Sequence, residues 1–120
     1  MKTKAIPDVI RAAARTLADH KARNVVILDL RTVHDAVDFF IIASGTSATH
    51  VKSSAQRVVE ALASDGVTLH HVEGLPQGRW VLLDYVDFVV HVFHPALREF
   101  YQLERLWADA PSQTLAEEAG

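Results

Sequence analysis

One stretch of the chain, GRWVLLDYVDFVVHVFHP (residues 78–95), gathers side chains able to do chemistry: Asp84, Asp87, His91 and His94. Carboxylates spaced as Asp84-x-x-Asp87 can hold a divalent cation for phosphoryl transfer, and the histidines can add nitrogen ligands. The pattern argues against both. Acidic residues at the ends of a tight turn commonly serve the turn itself. Histidines three apart on a strand point to opposite faces, and the adjacent His70 and His71 diverge for the same reason. A second stretch, SGTSATH (residues 44–50), offers backbone N–H groups to a phosphate at the start of a helix. It has one glycine and no lysine at P-loop spacing, and capping by Thr46 or Ser47 accounts for it. No nucleophile-elbow pattern surrounds Ser47, so Ser47 and His50 do not make a triad. Nowhere do a nucleophile, a base and an oxyanion donor come together. No catalytic residue, metal site or cofactor is expected, and the chain does not read as an enzyme.

Flanking elements must hold these residues. Ile6, Val9, Ile10, Ala13 and Leu17 fall at helical spacing over residues 5–20, with Pro7 suited to the first turn. NVVILDL (24–30) and DFFIIASG (38–45) read as buried strands, joined by the polar, irregular RTVHDAV. Val51, Ala55, Val58, Val59 and Leu62 form the stripe of a second helix, which Gly66 stops. VTLHHVE (67–73) predicts a third strand and GLPQG (74–78) a loop. Residues 78–95 supply two further strands, ended by Pro95. ALREFYQLERLW (96–107) reads as a helix with Leu97, Phe100, Leu103 and Leu106 inward. The acidic tail, residues 112–120, is expected to be disordered. The order α-β-β-α-β-β-β-α implies a single α/β domain over residues 1–111, a mixed β-sheet of about five strands with flanking helices. Strand order is not legible from this pattern.

Taking Tyr85-Val86 as a two-residue hairpin loop sets Asp84 opposite Asp87 and sorts the side chains by alternation. Val81, Leu83, Phe88, Val90 and Val92 make a wholly apolar core face. Trp80, Leu82, Asp84, Asp87, Val89, His91 and Phe93 make the other face, half apolar and half polar. Its acidic end should be wet, because facing carboxylates repel when desolvated. Its apolar end should be covered by a helix or by another protein. The turn lacks the Asn-Gly or Gly-Gly pair that a primed turn prefers.

At 120 residues, with 49% hydrophobic and 22% charged side chains, the chain has the composition of one globular domain. It has no apolar run of about 18 residues and no signal-peptide pattern, and it reads as a cytosolic protein. The absence of cysteine removes disulfides and thiolate chemistry. A net charge of −3 does not suit a generic nucleic-acid binder. Residues 1–31 carry seven basic and three acidic groups; residues 32–120 carry five basic and twelve acidic, hence −7. An acidic body suits a basic partner.

Three segments, DFFIIASGTSATHVKSSAQRVVEAL, VEGLPQGRWVLLDYVDFVVHVFHP and REFYQLERLW, together resemble the ribosomal silencing factor family, also called Iojap-related proteins. The likeness runs from about residue 5 to residue 111. Single words such as GTS are weak, but the order and spacing of GRWVLLDY, VVHVFHP and FYQLERLW are specific. The resemblance implies an α/β fold similar to nucleotidyltransferases without catalysis. It implies binding to the large ribosomal subunit through large-subunit protein fourteen, which blocks joining of the small subunit and lowers translation when nutrients are scarce. Little direct nucleic-acid contact and no membrane contact are implied. It nominates Trp80, Leu82, Asp84, Tyr85 and Glu73 as partner-binding residues. Two positions depart from the family: Ala48-Thr49 stand where an arginine commonly precedes His50, and Val86 stands where many members have glycine. Competing readings are a large-subunit assembly factor, a magnesium-dependent nucleotidyltransferase-like enzyme using Asp84 and Asp87, and a homodimerising scaffold.

Overall fold

Apolar strands this short must share a sheet to satisfy their backbones, and helices with one apolar stripe must lie on it. The computed structural model, which describes residues 5–33, 35–97 and 111–114, shows this arrangement. In chain order the elements are α1 (Asp8–Asp19), β1 (Arg23–Asp29), β2 (Phe39–Ser44), α2 (Ala48–Ser64), β3 (His71–Glu73), β4 (Trp80–Asp84), β5 (Phe88–Phe93) and β6 (Ser112–Thr114). They form a mixed sheet in the order β3-β4-β5-β2-β1-β6. The β2–β5 pair is parallel, running from Phe39 beside Phe88 to Ser44 beside Phe93, and the other pairs are antiparallel.

Both helices pack on one face of this sheet. Ile10, Ala13, Ala14 and Leu17 of α1 and Val51, Ala55, Val58 and Leu62 of α2 are buried against Ile27, Ile41, Val81, Leu83, Val90 and Val92. Each helix ends in a Schellman pair of hydrogen bonds. Ala22 and Lys21 donate to the Leu17 and Ala18 carbonyls, and Val67 and Gly66 donate to those of Leu62 and Ala63. Ser47 caps α2, its Oγ accepting from the His50 N–H at 3.1 Å. The His50 ring then ties three elements together. Its Nδ1 accepts from the Thr46 N–H at 2.9 Å, and its Nε2 donates to the carbonyl of His20, the C-cap of α1, at 2.7 Å.

A single α/β domain, both helix stripes, the Gly66 stop and the Ser47 cap agree with the sequence reading. Three features differ. The third strand is confined to His71–Glu73, because residues 67–70 return from α2. Ser112–Thr114, expected in a disordered tail, forms a sixth strand beside Val26, Ile27 and Leu28. The outer edge of β1 would otherwise leave backbone donors and acceptors unpaired, and three extended residues suffice to pair with it. The expected helix at 96–107, beyond Leu97, and the tail from residue 115 lie outside the described residues.

The third difference is the β4–β5 register. Asp84 sits opposite Val89, not Asp87, and Trp80 opposite Phe93. The loop proper is Val86-Asp87, flanked by a Tyr85 N–H to Phe88 carbonyl bond of 2.9 Å. A shift of two residues preserves which face each side chain takes, so the sorting by alternation survives. Val86 has φ +77° and is exposed, with Asp87 N–H donating to the Tyr85 carbonyl at 3.0 Å. A β-branched residue in this region is strained, at a cost of about 1–3 kcal/mol. Val86→Gly removes that strain and buries nothing less. After the entropy cost of glycine we expect a net gain of about 1 kcal/mol, seen as a thermal midpoint about 4 °C higher. An unchanged or lower midpoint by calorimetry would refute the strain.

Candidate docking face

The face of the sheet away from α1 and α2 carries the residues that sequence reading set aside. Register places His71 beside Asp84 and Glu73 beside Leu82 on β3–β4, then Trp80 beside Phe93 and Leu82 beside His91 on β4–β5. Further along, Phe40 and Ile42 of β2 neighbour Val89 and His91. The middle of the face is dry: Leu28, Leu30, Ile42 and Phe93 are buried together, with Trp80, Phe40 and Leu97 packed against them. Towards the β3 edge it becomes wet. Trp80, Leu82 and Asp84 are half-buried and Glu73 is exposed. The result is an aromatic and aliphatic centre bounded by two carboxylates. His71 Nε2 pairs with Glu73 at 2.9 Å, both side chains largely in solvent, so this pair contributes little stability.

Trp80 is held from two sides. Its ring stacks on Phe93, with centroids 5.0 Å apart, and its indole N–H donates to His91 Nδ1 at 3.1 Å. His91 lies beneath, 4% exposed, and meets Phe40 edge-on at 4.6 Å. Burial among these rings lowers the His91 pKa to about 4. The turn from β3 to β4 approaches closely at Gly74, φ +80°, where a Cβ would run into the Trp80 carbonyl. Glycine there lets the edge strand reach the register that brings Glu73 to Leu82.

Of the five residues nominated as partner-binding, Glu73, Trp80, Leu82 and Asp84 come together on this face. Tyr85 does not. It takes the opposite side, 7% exposed in the helix-covered core, stacked on Phe88 at 4.8 Å, and burial raises its phenol pKa to about 12. The alternation that turns Trp80 outward turns Tyr85 inward. Reading it as a loop residue hid that signal. His91 was sorted to the correct face, but its bond to Trp80 needed the cross-strand register.

The chemical alternatives fare poorly on geometry. Asp84 Oδ1 accepts from the Val86 N–H at 2.8 Å, closing its own turn, and Asp87 lies beyond the register. Among the described residues no group of His, Asp or Glu is placed to hold a metal ion. In the Gly45-Thr46 turn and at the start of α2, the Gly45 amide donates to the Phe93 carbonyl, the Thr46 amide to His50 Nδ1 and the His50 amide to Ser47 Oγ, so these three are already engaged. No helix among the described residues is long and apolar enough to cross a membrane.

Comparison with known proteins points the same way. A family model described as ribosomal silencing factor during starvation matches residues 3–119. The chain is 38% identical over 108 residues to a ribosomal silencing factor of Halalkalibacterium halodurans, covering 90% of this chain and 92% of that one. It is 29% identical to the mouse mitochondrial assembly of ribosomal large subunit protein 1, covering 76% of this chain and 41% of that one. A crystal structure of a Chromobacterium violaceum protein superposes with TM-score 0.83 at 35% identity, covering 88% of each chain.

The buried His91 makes stability depend on pH. Its ordinary value is 6.5, so the unfolded chain takes up a proton below that pH, which the fold refuses until about 4. Stability therefore falls as pH falls through this window and is unaffected above it. Between about pH 7 and about pH 5 this amounts to roughly 2 kcal/mol. His91→Phe removes the effect. Urea unfolding of both proteins at the two pH values should show the variant gaining relative to wild type by about that amount at the lower pH. A pH-independent difference would mean that His91 titrates normally.

Proposed function

Because the chain belongs to the ribosomal silencing factor family, we propose that it binds the large ribosomal subunit through large-subunit protein fourteen and blocks joining of the small subunit, lowering translation when nutrients are scarce. A ribosome-associated silencing role comes with the family. The partner protein and the steric block are our reading of the docking face. The observation that carries it is the convergence of Trp80, Leu82, Glu73 and Asp84 on one sheet face. A half-buried tryptophan beside an aliphatic residue is the type of anchor that dominates interface energy. Carboxylates at its rim suit the basic surface of a ribosomal protein and repel an rRNA backbone. Tyr85, inside the core, supports the face from beneath rather than touching the partner.

The same face suggests how the block works. Occupation of one protein surface at the subunit junction excludes the other subunit without chemistry. A second reading, a role in large-subunit assembly, is favoured by the name of the mouse relative. The two differ in outcome. A silencing factor changes the ratio of free subunits to joined ribosomes on starvation, whereas an assembly factor leaves immature large subunits when it is deleted.

Co-sedimentation with purified subunits tests the proposal, and binding to the small subunit instead of the large one would overturn it. Trp80→Ala should weaken large-subunit binding about thirtyfold, for about 2 kcal/mol of lost anchor energy, with thermal unfolding little changed. A variant that melts far earlier yet binds normally in the cold makes Trp80 a core residue and moves the interface elsewhere. Charge reversal of the rim, Glu73→Lys with Asp84→Lys, should slow association and flatten its dependence on salt, with a smaller change in dissociation. An association rate indifferent to both salt and reversal would mean that the acidic rim plays no part in docking.

A further inference from the structure

His91 is a buried titratable group that the docking reading does not use. It sits at a costly place for an imidazole. The Trp80 N–H points at Nδ1, so the ring proton lies on Nε2, and among the described residues Nε2 has no hydrogen-bond partner. A buried donor left unpaired destabilises a fold, and a phenylalanine would fill the same space between Phe40, Ile42 and Phe93 without that cost. The imidazole offers one thing that an apolar ring cannot, an acceptor for the indole. Trp80 lies on β4, where the face turns from dry to wet; stacking on Phe93 sets the plane of its ring, and the bond to Nδ1 sets the direction of its N–H within that plane. We infer that His91 is a positioning residue for docking, holding the Trp80 indole through its N–H in the one orientation that the partner meets. This rests on the proposed docking role of the face. A preset anchor lowers the entropy lost on binding, so the bond acts on affinity although His91 itself never touches the partner.

The test uses the whole protein and the purified large subunit. The Trp80 indole ¹⁵N–¹H resonance is first assigned by its loss in Trp80→Phe. In His91→Phe that resonance should move and affinity should fall about fivefold, the effect of one lost hydrogen bond. In His91→Gln, whose side-chain oxygen can accept, much of the affinity should return. Wild-type affinity in a folded His91→Phe protein overturns the inference, and so do equal losses in the Phe and Gln variants. Should His91→Phe not fold, the unmodified protein decides. A scalar coupling between Trp80 Nε1 and His91 Nδ1 across the hydrogen bond supports the inference, and its absence overturns it. The docking reading fails separately: Trp80→Ala binding at full strength removes both claims, whereas a normal His91→Phe beside a defective Trp80→Ala removes this one alone.

Discussion

The parallel pairing of β2 with β5 is the join on which the molecule depends. The strands before α2 form one antiparallel hairpin, β1–β2, and β3, β4 and β5 form an antiparallel meander. Only the six-residue register from Phe39–Phe88 to Ser44–Phe93 makes them one sheet. All of β5 and nearly all of β2 are buried, so this seam has to be apolar on both faces. It also fixes chemistry at a distance. By setting Ile42 beside His91 it builds the dry floor on which the imidazole stays neutral, and by aligning Ser44 with Phe93 it seats the ring that Trp80 stacks on.

From that seam the two faces diverge by alternation alone. One face meets α1 and α2 and is closed. The other grades from a dry middle to a charged edge at β3. A rigid strand places such groups more accurately than a loop does, which suits a protein that acts by occupying a surface.

Much of this was legible. Periodicity located both helices and the strands because their apolar residues repeat at 3.6 and 2, and the fold class followed from their order. The faces of β4 and β5 came out correctly although the hairpin register was off by two, since the error preserved parity. What was hidden had physical reasons. Strand order depends on the parallel seam, which leaves no local mark in Phe39–Ser44 or Phe88–Phe93. Tyr85 stands next to the turn, and its place in the core follows from the alternation of β4 running on through it. The Ser112–Thr114 strand is polar and three residues long, so its pairing comes from the bare edge of β1 and not from its own composition. Val86 was recognisable as an oddity in a turn position, but its positive φ is a property of the closed hairpin.

The last of these strands sets the order in which the sheet can be completed. Among the described strands β1 is the first to be made and its outer neighbour, β6, the last. At translation rates of about 5–20 residues per second, the backbone of Val26–Leu28 waits on the order of ten seconds for Ser112–Thr114 to emerge. A nascent chain of this protein therefore carries an open, apolar strand edge while neighbouring copies on the same messenger emerge beside it. That interval is when cotranslational mispairing competes with folding, and a holdase chaperone that shields Val26–Leu28 would have its effect there rather than on the finished domain.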